Sequence, residues 1–322
     1  MDKGQPRSSQ LIIFEDGTLY HVDLRRSDNI PPNLLLVGAA DRVDLIGSHF
    51  DEIVFRHHNK ARPEFYTVAG TYKERPVAVM SIGIGPGPMD IAINELHALF
   101  EYDHVLNSWT KNRPRVNIIR VGTCGTSLPE IPAGSFAISK YTIGLDNLGT
   151  YYPLPLTHTY SSSIGIRARI EKRFLETSIG KTNPLSYCAK AHPSAVKALL
   201  RSAVQFGEIN KHFFNGITTA SPGFFGPEGR QIGRIATAFG PEEFRKIVQS
   251  FTVDGLKIIN HEMETSVLFR LGYEHLGYNV GAICLIVDNL ATDEVITGKE
   301  AAEKMSTCIK VALDSLVILS KE

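Results

Sequence analysis

Arg120 stands inside an apolar run, Asn-Ile-Ile-Arg-Val at residues 117–121, and a Gly-x-x-Gly turn, Gly122 to Gly125, is expected to follow at once. A guanidinium taken out of water is costly unless something anionic meets it. The glycines let backbone N–H groups approach an anion closely, and Thr123 adds a hydroxyl. Two partners fit this segment: a core carboxylate, which would make Arg120 structural, or a bound anion. A second such place is Gly-Ala-Ala-Asp-Arg-Val at 38–43, where a Leu-rich strand turns into a helix. Free N–H groups and the helix dipole favour an anion there, and Arg42 can add a bidentate contact. Taken singly, Asp41–Arg42 also reads as a solvated helix start.

Three further segments carry polar groups at suggestive spacing. Gly-Ile-Gly-Pro-Gly-Pro at 83–88 is another glycine turn between strand and helix, but it fits neither the P-loop nor the dinucleotide fingerprint. Asn-His-Glu-Met-Glu-Thr-Ser at 260–266 joins an apolar strand to a helix expected over 262–276. Its carboxylates could be dipole-favoured first-turn residues, or Glu264 could accept two hydrogen bonds from the vicinal hydroxyls of a sugar packed on Met263. Phe-Phe-Gly-Pro-Glu-Gly-Arg at 224–230 is either a surface turn with an ion pair or a planar-ring site. In the second case Phe224 stacks while Glu228 and Arg230 meet the ring edge.

The elements that must position these groups alternate. Leu34–Val37, Phe65–Ala69, Val77–Ile82, Val116–Val121, Phe136–Ile143 and Val280–Val287 have strand character. Met89–Glu101, Pro193–Phe206, Pro241–Ser250, the 262–276 segment and Lys299–Leu319 have helix character. This predicts an α/β fold, one three-layer domain around a mixed, strongly twisted sheet. In such sheets ligands bind beyond the carboxyl ends of the strands, where the three glycine turns would gather. Residues 1–18 form a polar N-terminal extension before a domain spanning 19–322. Residues 144–192, rich in Tyr, Pro, Ser and Thr, read as an irregular insertion or lid.

Composition narrows the partners. Basic and acidic residues balance at 34 each, which leaves no broad footprint for nucleic acid or an anionic membrane. No signal-peptide core or membrane-length apolar stretch occurs, so a cytoplasmic protein is expected. The four cysteines have no metal-ligand or disulfide spacing, and His57–His58 is better explained as a solvated strand end than as a metal site.

Two arginine-bearing anion turns, a ribose-type carboxylate and an aromatic turn with edge-reading groups suggest nucleoside phosphorolysis. Arg-x-Gly-Thr-x-Gly at 120–125, Glu-Met-Glu at 262–264 and Phe-Phe-x-x-x-Gly-Arg at 224–230 resemble the nucleoside phosphorylase-I family, its uridine phosphorylase branch most closely. The resemblance runs from about residue 19 to the C-terminus and is poorest over 144–210. It implies phosphate binding at Gly38, Arg42, Arg120 and Thr123, with Arg62, one residue out of register, crossing from a neighbouring subunit. It implies ribose binding at Glu262, Met263 and Glu264, with His21 reaching the sugar from the neighbour, and base binding at Phe224, Glu228 and Arg230. At least a homodimer follows from such shared sites. Arg120, Arg230, Glu228 and Asp288 are the implied catalytic groups, with inorganic phosphate as co-substrate and no cofactor. A monovalent-cation site is not expected, because Pro88 stands where a serine ligand would be.

The sequence departs from the pattern at the base end. The uridine enzymes have Gln at Glu228, and an ionised glutamate accepts but cannot donate. Purine phosphorylases place an aspartic acid at Asp288 to protonate the leaving base. Purine nucleoside phosphorylase activity, with Asp288 as general acid, is therefore the alternative within the class. A nucleosidase and a non-catalytic nucleoside-binding protein are the others.

Overall fold

The computed structural model describes Pro6, residues 8–154 and residues 162–321. The chain runs β1 (Asn33–Val37), α1 (Asp41–Gly47), β2 (Glu52–His58), β3 (Tyr66–Tyr72), β4 (Arg75–Ser81), α2 (Pro86–Glu101), β5 (Tyr102–Asp103), β6 (Ser108–Trp109), β7 (Asn117–Thr126) and β8 (Phe136–Gly144). Then come α3 (Ser162–Leu175), α4 (Ser178–Thr182), β9 (Tyr187–Lys190), α5 (Pro193–Ala203), β10 (Phe213–Ala220), α6 (Pro241–Ser250), β11 (Thr252–Val253) and β12 (Leu256–Glu262). Last are α7 (Thr265–Val267), a π-helical segment Leu268–His275, β13 (Asn279–Asn289), β14 (Glu294–Val295) and α8 (Gly298–Leu319).

A single mixed sheet carries the order β11-β12-β10-β8-β13-β7-β1-β4-β3-β2, with β9 on β8 and β14 on β13. Parallel β4, β1, β7 and β13 are its centre. Their middle stretches, such as Leu34–Val37, Val77–Met80 and Ile283–Ile286, are apolar on both sides because both faces are covered, while Arg120 and Asp288 break the pattern where the strands near the site. Leu34, Leu36 and Ile118 pack on the α2 side, whereas Leu35, Val37 and Ile119 pack with α5 and α8. One extra pairing, His261 of β12 antiparallel to Gly125 of β7, joins β7, β13, β8, β10 and β12 into a closed ring. Proline at the first helical position starts α2, α5 and α6, where its missing N–H costs nothing.

Three local expectations change. Gly122 to Gly125 is not a turn, because β7 continues through Thr126. A Cβ at Gly122 would overlap the Arg120 guanidinium, and one at Gly125 the His261 ring, so the glycines make room for side chains crossing an extended strand. The helix expected from Glu262 starts only at Thr265; both carboxylates precede it, Glu262 ending β12 and Glu264 at the N-cap. Residues 144–192 are more regular than expected, since they contain α3, α4 and β9, and β9 pairs with β8. Within that segment, residues 155–161 lie outside the described residues, as do 1–5 and 7 of the N-terminal extension.

Candidate active site

A cavity of about 230 Å³ opens where the ends of β1, β7, β12 and β13 meet the 224–230 turn. Gly38, Arg42, Arg120, Thr123, Phe224, Glu228, Glu262, Met263, Glu264 and Asp288 all line it. A larger apolar cavity, about 580 Å³, lies against the 224–230 turn and meets Arg230 as its single charged residue. Acid–base and ionic chemistry therefore belongs to the smaller one.

At one end stand two arginines. Arg120 is 6 % exposed and sits on the central strand, opposite Leu36 of β1 and Ala282 of β13. It bonds Glu264 Oε2, lies 3.2 Å from Glu262 Oε2 and donates to Cys284 Sγ at 3.0 Å. Burial opposes its charge, but Glu264 and Glu262 more than offset this and hold the guanidinium above its ordinary value. The simpler account of Arg120 is thus met in part: its counter-charge comes from core carboxylates that also face the cavity. Arg42, in the first turn of α1, differs. It donates to the Val121 carbonyl at 3.2 Å and, among the described residues, has no carboxylate within ion-pair distance. Burial and the Arg120 charge both lower its affinity for the proton. A half-buried guanidinium without a carboxylate partner, facing a second guanidinium, is the electrostatic outline of an anion site.

The 83–88 turn supports this end. Gly83 N–H bonds the Gly38 carbonyl at 3.0 Å, and Gly85 N–H donates to Glu264 Oε1 at 2.7 Å. Gly85 has φ 99°, which glycine adopts without strain. Glu262 accepts from the N–H groups of Glu264 and Thr265, both at 3.0 Å, and so fixes the backbone that carries Met263.

The other end is built on the short 3-10 turn Gly226–Glu228. The ion pair expected there exists, yet it is buried rather than at the surface: Glu228 is 1 % exposed. Arg230 donates from Nε to Glu228 Oε2 at 2.9 Å and from a terminal nitrogen to Asp288 Oδ2 at 2.8 Å, and its guanidinium covers the Phe224 ring at 4.1 Å. Asp288 reaches this place through a register shift in β13 that sets it opposite Gly125. Such a bulge re-aims a side chain that regular alternation would turn away. Burial pushes the Glu228 carboxyl up to about 7; Arg230 opposes the rise, while Asp288 and Glu262 add to it.

His21 and Arg62 do not line this cavity. They sit together elsewhere, tied by Asn59, which donates to the His21 carbonyl and accepts from the Arg62 N–H. His21 Nδ1 lies 2.5 Å from Glu95 Oε1, and Arg62 covers the Tyr20 ring. Sequence reasoning missed His261, which also lines the cavity. Its place beside Glu262 was the available signal, although a lone histidine ending an apolar strand reads equally as core. Among the described residues, no group of three or more His, Cys, Asp or Glu could hold a metal ion, and no helix is long and apolar enough to cross a membrane.

Comparison with known proteins gives a consistent result. Residues 33–320 match the phosphorylase superfamily. A uridine phosphorylase of Thermococcus kodakarensis is 27 % identical over 92 % of this chain and 87 % of that protein. A Trypanosoma brucei nucleoside phosphorylase, described as showing uridine phosphorylase activity, superposes with a TM-score of 0.84 at 28 % identity, covering 96 % of this chain and 99 % of that one. The purine nucleoside phosphorylase of Toxoplasma gondii shares the fold, with a TM-score of 0.66 at 19 % identity over 96 % and 99 % of the two chains.

Proposed function

The chain belongs to the phosphorylase superfamily, and from that premise we propose that it is a uridine phosphorylase-like pentosyltransferase. A nucleoside and inorganic phosphate are reversibly converted to a free base and (deoxy)ribose 1-phosphate. The observation that carries this reading is the division of one cavity into an arginine end and an aromatic, edge-reading end, with Glu262, Met263 and Glu264 between them.

Phosphate is the nucleophile, so no protein side chain needs to bond covalently to the sugar. Arg42, Arg120, Thr123 and the amides beside Gly38 hold it against C1′, which supplies proximity and charge stabilisation. Glu264 accepts from the sugar hydroxyls, Met263 packs on the furanose, and Glu262 holds the backbone of both. As the glycosidic bond breaks, negative charge builds on the base, where Arg230 donates to a ring carbonyl and Phe224 covers the ring. Glu228 accepts from the ring N–H. Such a route draws on no metal or organic cofactor.

His21 and Arg62 would complete the site of a second copy, making the active unit at least a homodimer. Their shared anchorage through Asn59, away from their own cavity, supports this. Pyrimidine salvage in the cytoplasm is the setting that fits, and four cysteines without disulfides agree with it. A second reading, purine phosphorolysis with Asp288 as general acid, is favoured by the β13 register shift that sets Asp288 at the base end. Assays of uridine, thymidine, inosine and guanosine, each with and without phosphate, decide among these. Phosphate-dependent release of pyrimidines alone supports the first reading, and release of purines alone supports the second. Cleavage that ignores phosphate would overturn both in favour of a nucleosidase. Absence of all cleavage by the dimer would leave a nucleoside-binding protein.

A further inference from the structure

His261 is 2 % exposed, lines the cavity, and neither ring nitrogen has a hydrogen-bond partner. Buried polar atoms are nearly always satisfied, so an unpartnered imidazole at a cavity wall points to a ligand. Its position is fixed from three sides. The His261 backbone pairs with Gly125, whose missing side chain leaves room for Nε2. The Phe244 ring meets the imidazole edge-on with centroids 5.5 Å apart, and Nε2 lies 3.7 Å from Glu228 Oε2, too far for a hydrogen bond. Asp288 flanks the same glycine. Burial, with the Arg230 charge, holds the imidazole down to about 3, so it is neutral at working pH and carries one donor and one acceptor.

Resting on the phosphorylase reading above, we propose that His261 is a third base-recognition residue, and that it supplies the hydrogen-bond donor that Glu228 lacks. With its proton on Nε2, the imidazole donates beside the Glu228 carboxylate. Oε2 of Glu228 is taken by Arg230, while Oε1 has no partner among the described residues and is the acceptor left for a ring N–H. Arg230, Glu228 and His261 then present donor, acceptor, donor. The complement is acceptor, donor, acceptor: an imide, C=O–NH–C=O, as in uracil and thymine. A 6-oxopurine offers only one carbonyl beside its lactam N–H and leaves one of the two donors unmet. An unmatched buried donor is what rejects the wrong base.

Calorimetric binding of free bases in inorganic phosphate tests this without requiring turnover. The bases are uracil, hypoxanthine and the two uracil analogues that each lack one carbonyl oxygen. The proteins are wild type, His261→Leu and His261→Gln. His261→Leu is expected to weaken uracil binding about 10- to 100-fold, and His261→Gln, which keeps a donor, to recover most of it. The loss should vanish with one of the two analogues, the one missing the carbonyl that His261 meets, and persist with the other. A merely structural role would weaken all bases equally. Unchanged uracil binding by His261→Leu, or an equal loss with both analogues, overturns the proposal and leaves the phosphorylase reading standing. Wild type that binds no base at all sinks both.

Discussion

At the Arg120 end of the cavity a buried cation bonds two carboxylates and a thiol sulfur, and backbone N–H groups hold those carboxylates in turn. At the Glu228 end one arginine is divided between two carboxylates, and the neighbouring histidine bonds nothing. The Arg120 cluster is internally satisfied and rigid in its charges, and beside it Arg42 is left as the open charge for a ligand. The Glu228 end holds groups whose protonation and hydrogen bonding remain available. In the proposed reaction the invariant participants are phosphate and pentose, and the base is what must be told apart. A pre-arranged end therefore suits the chemistry common to every turnover, and an under-satisfied end suits discrimination.

The comparison breaks most violently at Arg120. Arg120→Ala would strand Glu262 and Glu264 as buried unpaired carboxylates, so about 3–5 kcal/mol of stability should be lost, visible as a large fall in Tm together with activity. If Tm is unmoved, the satisfied end is not the structural anchor described here. Arg42 sharpens the point, because it faces the same space without a carboxylate partner. Arg42→Ala should leave Tm level or slightly higher, since a like-charge contact with Arg120 disappears. It should nevertheless lower kcat/KM for phosphate about 100-fold, the scale seen when one charge-stabilising donor is removed.

Glu228 gives the smallest effect and the clearest sign. A carboxyl whose folded value is raised contributes stability that is fully present below its unfolded value and lost as pH rises through about 7. The groups facing it are Arg230 and Asp288, with Glu262 and His261 beyond. Glu228→Gln cannot ionise, so its Tm relative to wild type should climb by a few degrees between about pH 5 and about pH 8. In wild type, kcat/KM for a pyrimidine nucleoside should rise over that range as the acceptor ionises. In Glu228→Gln only the phosphate titration should remain.

Much of the frame was legible because parallel strands covered on both faces carry apolar runs, as at Leu34–Val37 and Ile283–Ile286. Strand β10 was not, since Phe-Phe-Asn-Gly-Ile-Thr-Thr-Ala buries two threonines and so breaks the apolar pattern. Edge strand β2 hides for a different reason, its exposed Glu, Arg and His diluting the pattern. Helix α3 lay in a segment whose Ser- and Tyr-rich start masked the amphipathic stretch beyond it. In the cavity, Arg42, Arg120, Glu262, Glu264 and the 224–230 turn announced themselves through charge next to glycine or aromatic residues. His261 did not, because its meaning depends on a strand pairing with Gly125 that no local spacing encodes.

Gly122 has no side chain, yet in mutational terms it belongs to Arg120. The guanidinium lies across the space that any Cβ at residue 122 would need. The two positions should therefore be epistatic. Gly122→Ala would be severe in wild type and nearly silent once Arg120 is already alanine, so a double-mutant cycle should show a large interaction term. While the arginine stays, a side chain at residue 122 has to push its guanidinium off Glu262 and Glu264, so a sequence drifting at one position is constrained by the other.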